Sequence, residues 1–209
     1  MKVVLFGATG RTGRLLARQA VEEGREVTAF ARDPARMGAV DTRLHVVRGD
    51  VLDAPSVDRA VRGHEGVLCA LGLTARRPPP VLSRGIRHIF DAMEAHDVRR
   101  IVCISAAGAL REDAGFFVGN VGLRLFRLLL PGVYREHGRM LEEFTRRDVD
   151  WIVVRAVLLT NGPRTGRYRV ALEGIPRWGF RISRADVADF MIQQLVSDEY
   201  VRKMPAIAY

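Results

Sequence analysis

Gly7, Gly10 and Gly13 stand at equal spacing in the run Gly7-Ala8-Thr9-Gly10-Arg11-Thr12-Gly13, the stretch of this chain with the clearest chemical meaning. Glycine lets the backbone turn sharply and approach a ligand with no Cβ in the way. The first-turn N–H groups of a following helix then face an anion, and the helix dipole favours negative charge there. An apolar, β-branched run, Val3-Val4-Leu5-Phe6, precedes the glycines, and a helical pattern from Arg14 to Val21 follows them. Strand, glycine turn and helix in that order make a pyrophosphate cradle of the dinucleotide type. A purely structural turn is the competing reading.

A second set of residues could read the rest of such a ligand. Arg32 directly follows the run Glu26 to Ala31, Arg36 falls one turn on, and Arg11 is within reach of the same region. At this place an acid takes the ribose hydroxyls of NAD, whereas an arginine accommodates the 2′-phosphate of NADP. The guanidinium fork matches two phosphate oxygens at once. The arginines therefore favour NADP, and Asp33, next to Pro34, is the argument for NAD. Asp50-Val51 follows the run Leu44 to Arg48. Two roles are open to that carboxylate: accepting from an adenine amino group while Val51 packs the ring, or capping a turn. Gly72 ends the run from Gly66 and again permits close backbone approach.

Ser105, at the end of the run Arg100 to Ser105, could hydrogen-bond a nicotinamide amide or an acceptor, or cap local backbone. His137 is the only histidine in the second half of the chain. It is either a group titrating near neutrality or a packing residue. The tyrosines are Tyr134, Tyr168, Tyr200 and Tyr209, and Gly138 stands four places after Tyr134. Carbonyl reduction by a tyrosine acid with a lysine four residues on is therefore not available. No metal-ligand spacing and no Ser/His/Asp arrangement is visible. Hydride transfer to a conjugated acceptor asks for less, because stacking supplies proximity and the cofactor carries the hard chemistry.

The elements that must position these groups alternate. Apolar strand-like runs are separated by helical patterns at Arg14 to Val21, Pro55 to Arg62 and Val81 to His96. Such alternation means βαβ units and a parallel sheet, with ligands outside the carboxyl ends of the strands. Gly7 to Gly13, Arg32, Asp50, Gly72 and Ser105 all fall at such ends. The expected fold is α/β: a Rossmann-type doubly wound parallel sheet with helices on both faces and a small C-terminal substrate-side region. Residues 1–209 read as one domain, with about 110–135 and 156–182 forming a lid or substrate side. Leu73 to Pro80 reads as a loop, Leu110 to Arg135 as an irregular helical lid, and Glu136 to Arg147 as a helix with Glu142/Arg146 and Glu143/Arg147 spaced for ion pairs. Asp150 to Arg155 reads as a strand, Tyr168 to Leu172 as an edge strand and Met204 to Tyr209 as a closing one. Ser183-Arg184-Ala185-Asp186 opens the last helix as a capping-box variant.

Charge and composition exclude several functions. The formal charge is +9, and 31 of the 33 basic residues are arginine. They are spread along the chain, as a solvated surface or a funnel for phosphate-bearing ligands would require. No clustered basic block with interleaved aromatics points to nucleic acid. Cys69 and Cys103 lie in apolar runs without a C-x-x-C, so neither metal nor redox use is expected. The first strand begins at Lys2, which leaves no room for a signal peptide. The apolar stretch Phe116 to Val133 contains Asn120, Arg124 and Arg127 and is too short and too charged to cross a bilayer. No membrane partner is expected on that ground.

The opening L-F-G-A-T-G-R-T-G, A-R-D-P-A-R-M after the second strand, H-V-V-R-G-D-V around the third and I-S-R-A-D-V-A-D-F-M near the end resemble the atypical short-chain dehydrogenase/reductases. Within them the chain is most similar to the NADPH-dependent flavin reductases of the biliverdin reductase B type. The resemblance covers nearly the whole chain. It implies NADPH-dependent hydride transfer to flavins or linear tetrapyrroles by a cytoplasmic enzyme that is a monomer or weak homodimer. Gly7, Thr9, Gly10, Arg11 and Thr12 would hold the pyrophosphate, Arg32 and Arg36 the 2′-phosphate, and Asp50-Val51 the adenine. Leu71, Gly72 and Leu73 would run beside the cofactor, with Ser105 and His137 facing the nicotinamide. Two departures stand out. Arg155-Ala156-Val157-Leu158 replaces the family's Pro-Pro-His-Ile, so Val157 removes a histidine while its backbone keeps the position beside nicotinamide. The apolar insert Phe116 to Val133 is also unlike that group. The chain resembles the NmrA group too, which implies a non-catalytic NADP(H)-sensing regulator as the alternative.

Overall fold

The computed structural model describes all residues except 39–41, 74–79 and 111–116, and except the side chains at 117–119, 123 and 126. The expected loop after Leu73, with Arg76-Arg77, and the start of the expected lid therefore lie outside the described residues. In chain order the elements are β1 (Lys2–Phe6), α1 (Arg11–Glu22), β2 (Glu26–Ala31), a 3-10 turn (Pro34–Met37), β3 (Leu44–Arg48), α2 (Ala54–Val61), β4 (Gly66–Cys69), α3 (Val81–Ala95) and β5 (Arg100–Ala106). There follow α4 (Phe117–Leu129), α5 (Pro131–Thr145), β6 (Asp150–Ala156), β7 (Leu158–Thr160), β8 (Arg169–Ala171), β9 (Arg181–Ser183), α6 (Arg184–Gln193) and β10 (Ala206–Ala208).

Eight strands form one sheet in the order β3-β2-β1-β4-β5-β6-β10-β8, parallel throughout except for the β10–β8 pair at the edge. This is the doubly wound α/β fold. Continuous apolar runs such as Val3 to Phe6 are what strands buried on both faces require, and each of those four residues is fully buried. On one face Leu16 and Ala20 of α1 and Phe190 and Met191 of α6 cover the sheet. On the other, Val57 of α2, Ile86 and Phe90 of α3 and Phe144 of α5 do so. Cys69 and Cys103, paired in register across β4 and β5, are free buried thiols of that second layer. The short strands β7 and β9 make a separate parallel pair.

The strand order reverses at β1, which is flanked by β2 and β4. A ligand crevice opens at such a switch point, and here the glycine turn sits in it. Gly7 has φ +80°, and a Cβ on it would lie 2.4 Å from the Ala70 carbonyl oxygen. A Cβ on Gly13 would lie 2.1 Å from the Gly7 carbonyl oxygen. Two of the three motif glycines are thus demanded by packing, with no reference to a ligand.

Three local expectations change. Pro131 starts a new helix, because proline has no N–H to give an α4 carbonyl and suits a first helical turn. The expected lid is therefore two helices, and α5 begins five residues before Glu136. Glu143 and Arg147 turn to tertiary partners instead of each other, Glu143 binding Arg87 at 2.7 Å and Arg147 reaching Asp91 and Glu94 on α3, while Arg146 lies 3.9 Å from Glu143 rather than pairing with Glu142. Ser183 caps α6 as expected, its hydroxyl accepting from the Asp186 N–H at 2.9 Å. The Asp186 carboxylate does not complete the reciprocal box. It accepts from the Thr165 and Gly166 N–H groups and from the hydroxyls of Thr165 and Tyr209.

A Gly13→Ala substitution should cost at least about 2–3 kcal/mol, since overpacking against backbone cannot relax cheaply. Thermal denaturation should show the midpoint lowered by roughly 5–10 °C. Gly72→Ala, where a Cβ meets nothing within 4 Å, should leave it within about 2 °C.

Candidate cofactor and acceptor site

Gly10 is the N-cap of α1, in extended conformation, and the first turn carries no acidic side chain. The N–H groups of Arg11, Thr12 and Gly13 have no intrahelical acceptor by position, so a helix terminus with unmet donors and a positive dipole end faces the crevice. The glycine-only contacts keep the backbone open there, and the loop fits a diphosphate. Arg14 clamps the loop. Its Nε donates to the Thr9 carbonyl at 3.3 Å and its Nη2 to the Arg36 carbonyl at 2.5 Å. The sequence presents Arg14 as a surface residue of the helix. Only the fold shows it linking the phosphate loop to the turn after β2.

That turn carries the ribose-side candidates. Arg32 follows the last residue of β2 and is exposed, as is Arg36 in the 3-10 turn. Asp33 is occupied locally: its Oδ1 accepts from the Ala35 N–H at 3.2 Å as the N-cap of that turn. The acid that argued for NAD is thereby a capping residue. Asp50 likewise uses Oδ1 to accept from the Leu52 N–H at 3.0 Å. Val51 is buried under Gly85 of α3, and its carbonyl binds His88 Nδ1 at 2.9 Å.

At the carboxyl ends of β4, β5 and β6 lies a cavity of about 600 Å³. It brings together Thr12, Leu71, Gly72, Ser105, His137 and Val157 from the sequence-derived set. Gly7, Thr9, Gly10, Arg11, Gly13, Arg32, Arg36, Asp50, Val51 and Leu73 do not line it; they follow the rim of the sheet away from it. The cavity walls are largely aliphatic, including Ile104, Leu158, Ile175 and Phe180. Tyr134 and Arg184 also line it and were missed in the sequence. Tyr134 was read for an absent lysine partner, and Arg184 was read as the second place of a capping box.

Ser105 and His137 are both buried, and the Ser105 hydroxyl lies 3.1 Å from His137 Nδ1. The pairing comes from the fold: Ser105 ends β5, and α5 lays His137 above it from 32 residues further on. Burial lowers the His137 pKa to about 4, because the apolar surroundings disfavour the imidazolium. At neutral pH the ring is uncharged, with one ring nitrogen a hydrogen-bond donor and the other an acceptor. Arg184 donates to the Leu159 carbonyl and to Asn161 Oδ1 at 2.8 Å. Its pKa is lowered by burial and by the neighbouring Arg11 charge. Two guanidinium groups that repel each other beside a helix N-terminus are arranged for an anion.

The model of a family described as NAD(P)H-binding matches residues 7–198. The chain belongs to this NAD(P)H-binding family. An uncharacterized chloroplastic protein of Arabidopsis thaliana is 28% identical over 95% of this chain and 73% of its own length. A Bacteroides thetaiotaomicron protein solved as a candidate epimerase superposes with TM-score 0.83 at 27% identity, covering 100% of this chain and 96% of its own. ChuY of Escherichia coli O157:H7, described as an anaerobillin reductase, superposes with TM-score 0.77 over 100% of this chain and 97% of its own. At 19% identity that last likeness is one of fold.

The buried imidazole makes a stability prediction. Unfolded, His137 titrates near 6.5; folded, at about 4. Between those values the unfolded chain binds a proton that the native state refuses. The native state therefore loses stability as pH falls through this window and keeps it in full above it. His137→Gln should remove a loss on the order of 3 kcal/mol between pH 6.5 and 4, read as a flatter dependence of urea midpoint on pH than in the wild type.

Proposed function

We propose that this NAD(P)H-binding protein is an NADPH-dependent reductase that passes hydride to a flat, conjugated acceptor of the flavin, bilin or quinone kind. The observation that carries the reading is the cavity itself. It adjoins the helix that offers the phosphate cradle, its walls are mostly aliphatic, and its buried hydrogen-bonding pair is Ser105 with a neutral His137. Aliphatic walls suit a planar ring system, which gains from desolvation and stacking. Bound nicotinamide would supply the hydride. Ser105 and His137 would orient the reacting rings by hydrogen bonding, and the proton that completes reduction of the acceptor would come from solvent. Thr12 and the backbone of Arg11 to Gly13 would hold the diphosphate, with Gly7, Thr9 and Gly10 shaping the loop. Arg184 and Arg11 would add charge beside it. Leu71, Gly72 and Leu73 would run along the cofactor, and Val157 would present backbone near the nicotinamide.

Arg32 and Arg36 would hold the 2′-phosphate, since Asp33 is engaged in its own turn. Asp50 and Val51 would face the adenine. We assign the chain as one catalytic domain that acts on a small molecule, as a monomer or weak homodimer.

NADPH consumption, followed by absorbance, should be stimulated by free riboflavin, FMN or a bilin. Absence of turnover across a panel of flavins, bilins and quinones, with NADPH binding intact, would favour the regulatory alternative. Arg32→Glu should raise the NADPH dissociation constant roughly 10–100-fold, the size of a lost charge-assisted hydrogen bond. The NADH constant should move by less than about threefold. Equal effects on both would remove the NADP assignment.

A further inference from the structure

The helix α4 places Val121, Leu125, Leu128 and Leu129 at i, i+4, i+7 and i+8, so they share one face of the helix. That face points to water: Val121 is 47%, Leu125 53% and Leu128 76% exposed. Arginine flanks the stripe. Arg124 is exposed beside it, and Arg127, Arg135 and Arg139 line a neighbouring hollow in which Glu142 is the carboxylate. From residue 114 to residue 135 the sequence contains no aspartate or glutamate. The stripe is continuous with the mouth of the cavity, which is lined by Gly122 of α4 and by Leu158 and Phe180, both more than half exposed.

We propose that α4 is a peripheral docking surface for an anionic phospholipid bilayer, lying in the headgroup region with its leucines toward the acyl chains. Crossing a bilayer and lying on one make different demands. No helix among the described residues is long and apolar enough to span. An interfacial helix instead needs a solvent-facing apolar stripe with basic residues at its flanks, and its affinity adds buried apolar area to attraction for acidic headgroups. α4 supplies the stripe and exposed Arg124, and α5 adds exposed Arg135 and Arg139, while Arg127 is tied to the Gly108 carbonyl at 2.8 Å. A second copy of the chain would fit the apolar stripe but not its charge: an isologous contact brings a surface against itself, and among the described residues this one sets exposed Arg124, Arg135 and Arg139 against the carboxylate of Glu142. An acidic lipid surface answers both. The proposal does not rest on the reductase reading, because docking needs neither cofactor nor acceptor.

Vesicle flotation of the full chain, without nicotinamide or acceptor, tests it. With vesicles containing about a third phosphatidylglycerol in phosphatidylcholine, the protein should float, and at least tenfold less should float with phosphatidylcholine alone or in high salt. The double variant Leu125→Gln/Leu128→Gln should reduce binding to anionic vesicles at least tenfold. Arg124→Glu should reduce it several-fold. Both variants should keep the wild-type melting temperature and NADPH affinity, because the replaced side chains face solvent outside the cavity. Failure of the wild type to float with anionic vesicles overturns the proposal, as does equal flotation of wild type and the double variant. A wild-type dimer in solution that the double variant converts to monomer, with no vesicle binding by either, overturns it in favour of self-association. None of these outcomes bears on NADPH turnover, so failure here and failure of the reductase reading are told apart.

Discussion

The carbonyl oxygen of Gly7 occupies the space that any side chain on Gly13 would need. That close approach lets α1 start directly above the end of β1, and the rest of the site follows from it. Because β1 sits where the strand order reverses, the N-terminus of α1 is delivered to the crevice between β2 and β4. Arg14 then ties the same helix to the carbonyl of Arg36 in the turn after β2. One guanidinium thus fixes the separation of the glycine loop and the turn after β2. The tolerance of the loop to substitution is therefore set by backbone packing before any ligand arrives.

On the other side of the crevice, control passes to burial. The cavity has little polar surface to offer, and the buried hydrogen-bonding pair it does offer is held uncharged. An imidazole whose proton leaves at about pH 4 is a poor acid at neutrality but a good neutral hydrogen-bonding group. Tyr134 shares the cavity, yet Gly138 follows it where a lysine would have lowered its pKa. This chemistry matches reactions whose difficulty lies in bringing two ring systems together, and not those that need a strong general acid on a carbonyl oxygen.

What could be read in the sequence was what repeats at short range. The glycine spacing, the alternation of strands and helices and the Ser183 cap all depend on neighbours within a few residues, and the fold keeps them. The contacts that escaped reading depend on distant chain. His137 meets Ser105 across 32 residues, and its burial is invisible in a surrounding sequence rich in charge. Arg184 looks like a helix-opening residue until β7 brings the Leu159 carbonyl to it. Glu143 and Arg147 have the spacing of an i,i+4 pair, but α3 offers each a better partner. Leu110 to Arg135 reads as one helical lid, but Pro131 divides it and begins α5. The apolar run before it was tested for crossing a bilayer. Where its stripe faced could be asked only once α5 and the cavity were placed.

The segment between β6 and α6 carries only the short strands β7, β8 and β9, so contacts besides sheet hydrogen bonds must hold it. Two buried carboxylates do so. Burial pulls the Asp186 pKa upward, but hydrogen bonds from Tyr209, from the Gly166 and Thr165 backbone and from the Thr165 hydroxyl outweigh it and keep the group below the usual carboxylate range. Asp189, one turn on, takes the Tyr168 hydroxyl at 2.9 Å and the Arg164 guanidinium at 2.5 Å. Residues 164 to 168 and the final tyrosine are thus hung from the first turns of α6. The same helix start presents Arg184 to the cavity, and Arg184 grips Leu159 on the strand that forms its wall and Asn161 just after that strand. A motif that reads in the sequence as a simple cap is therefore the point from which one whole side of the cavity is suspended. These side chains suit that place because every one of these contacts donates a hydrogen bond to a carboxylate oxygen.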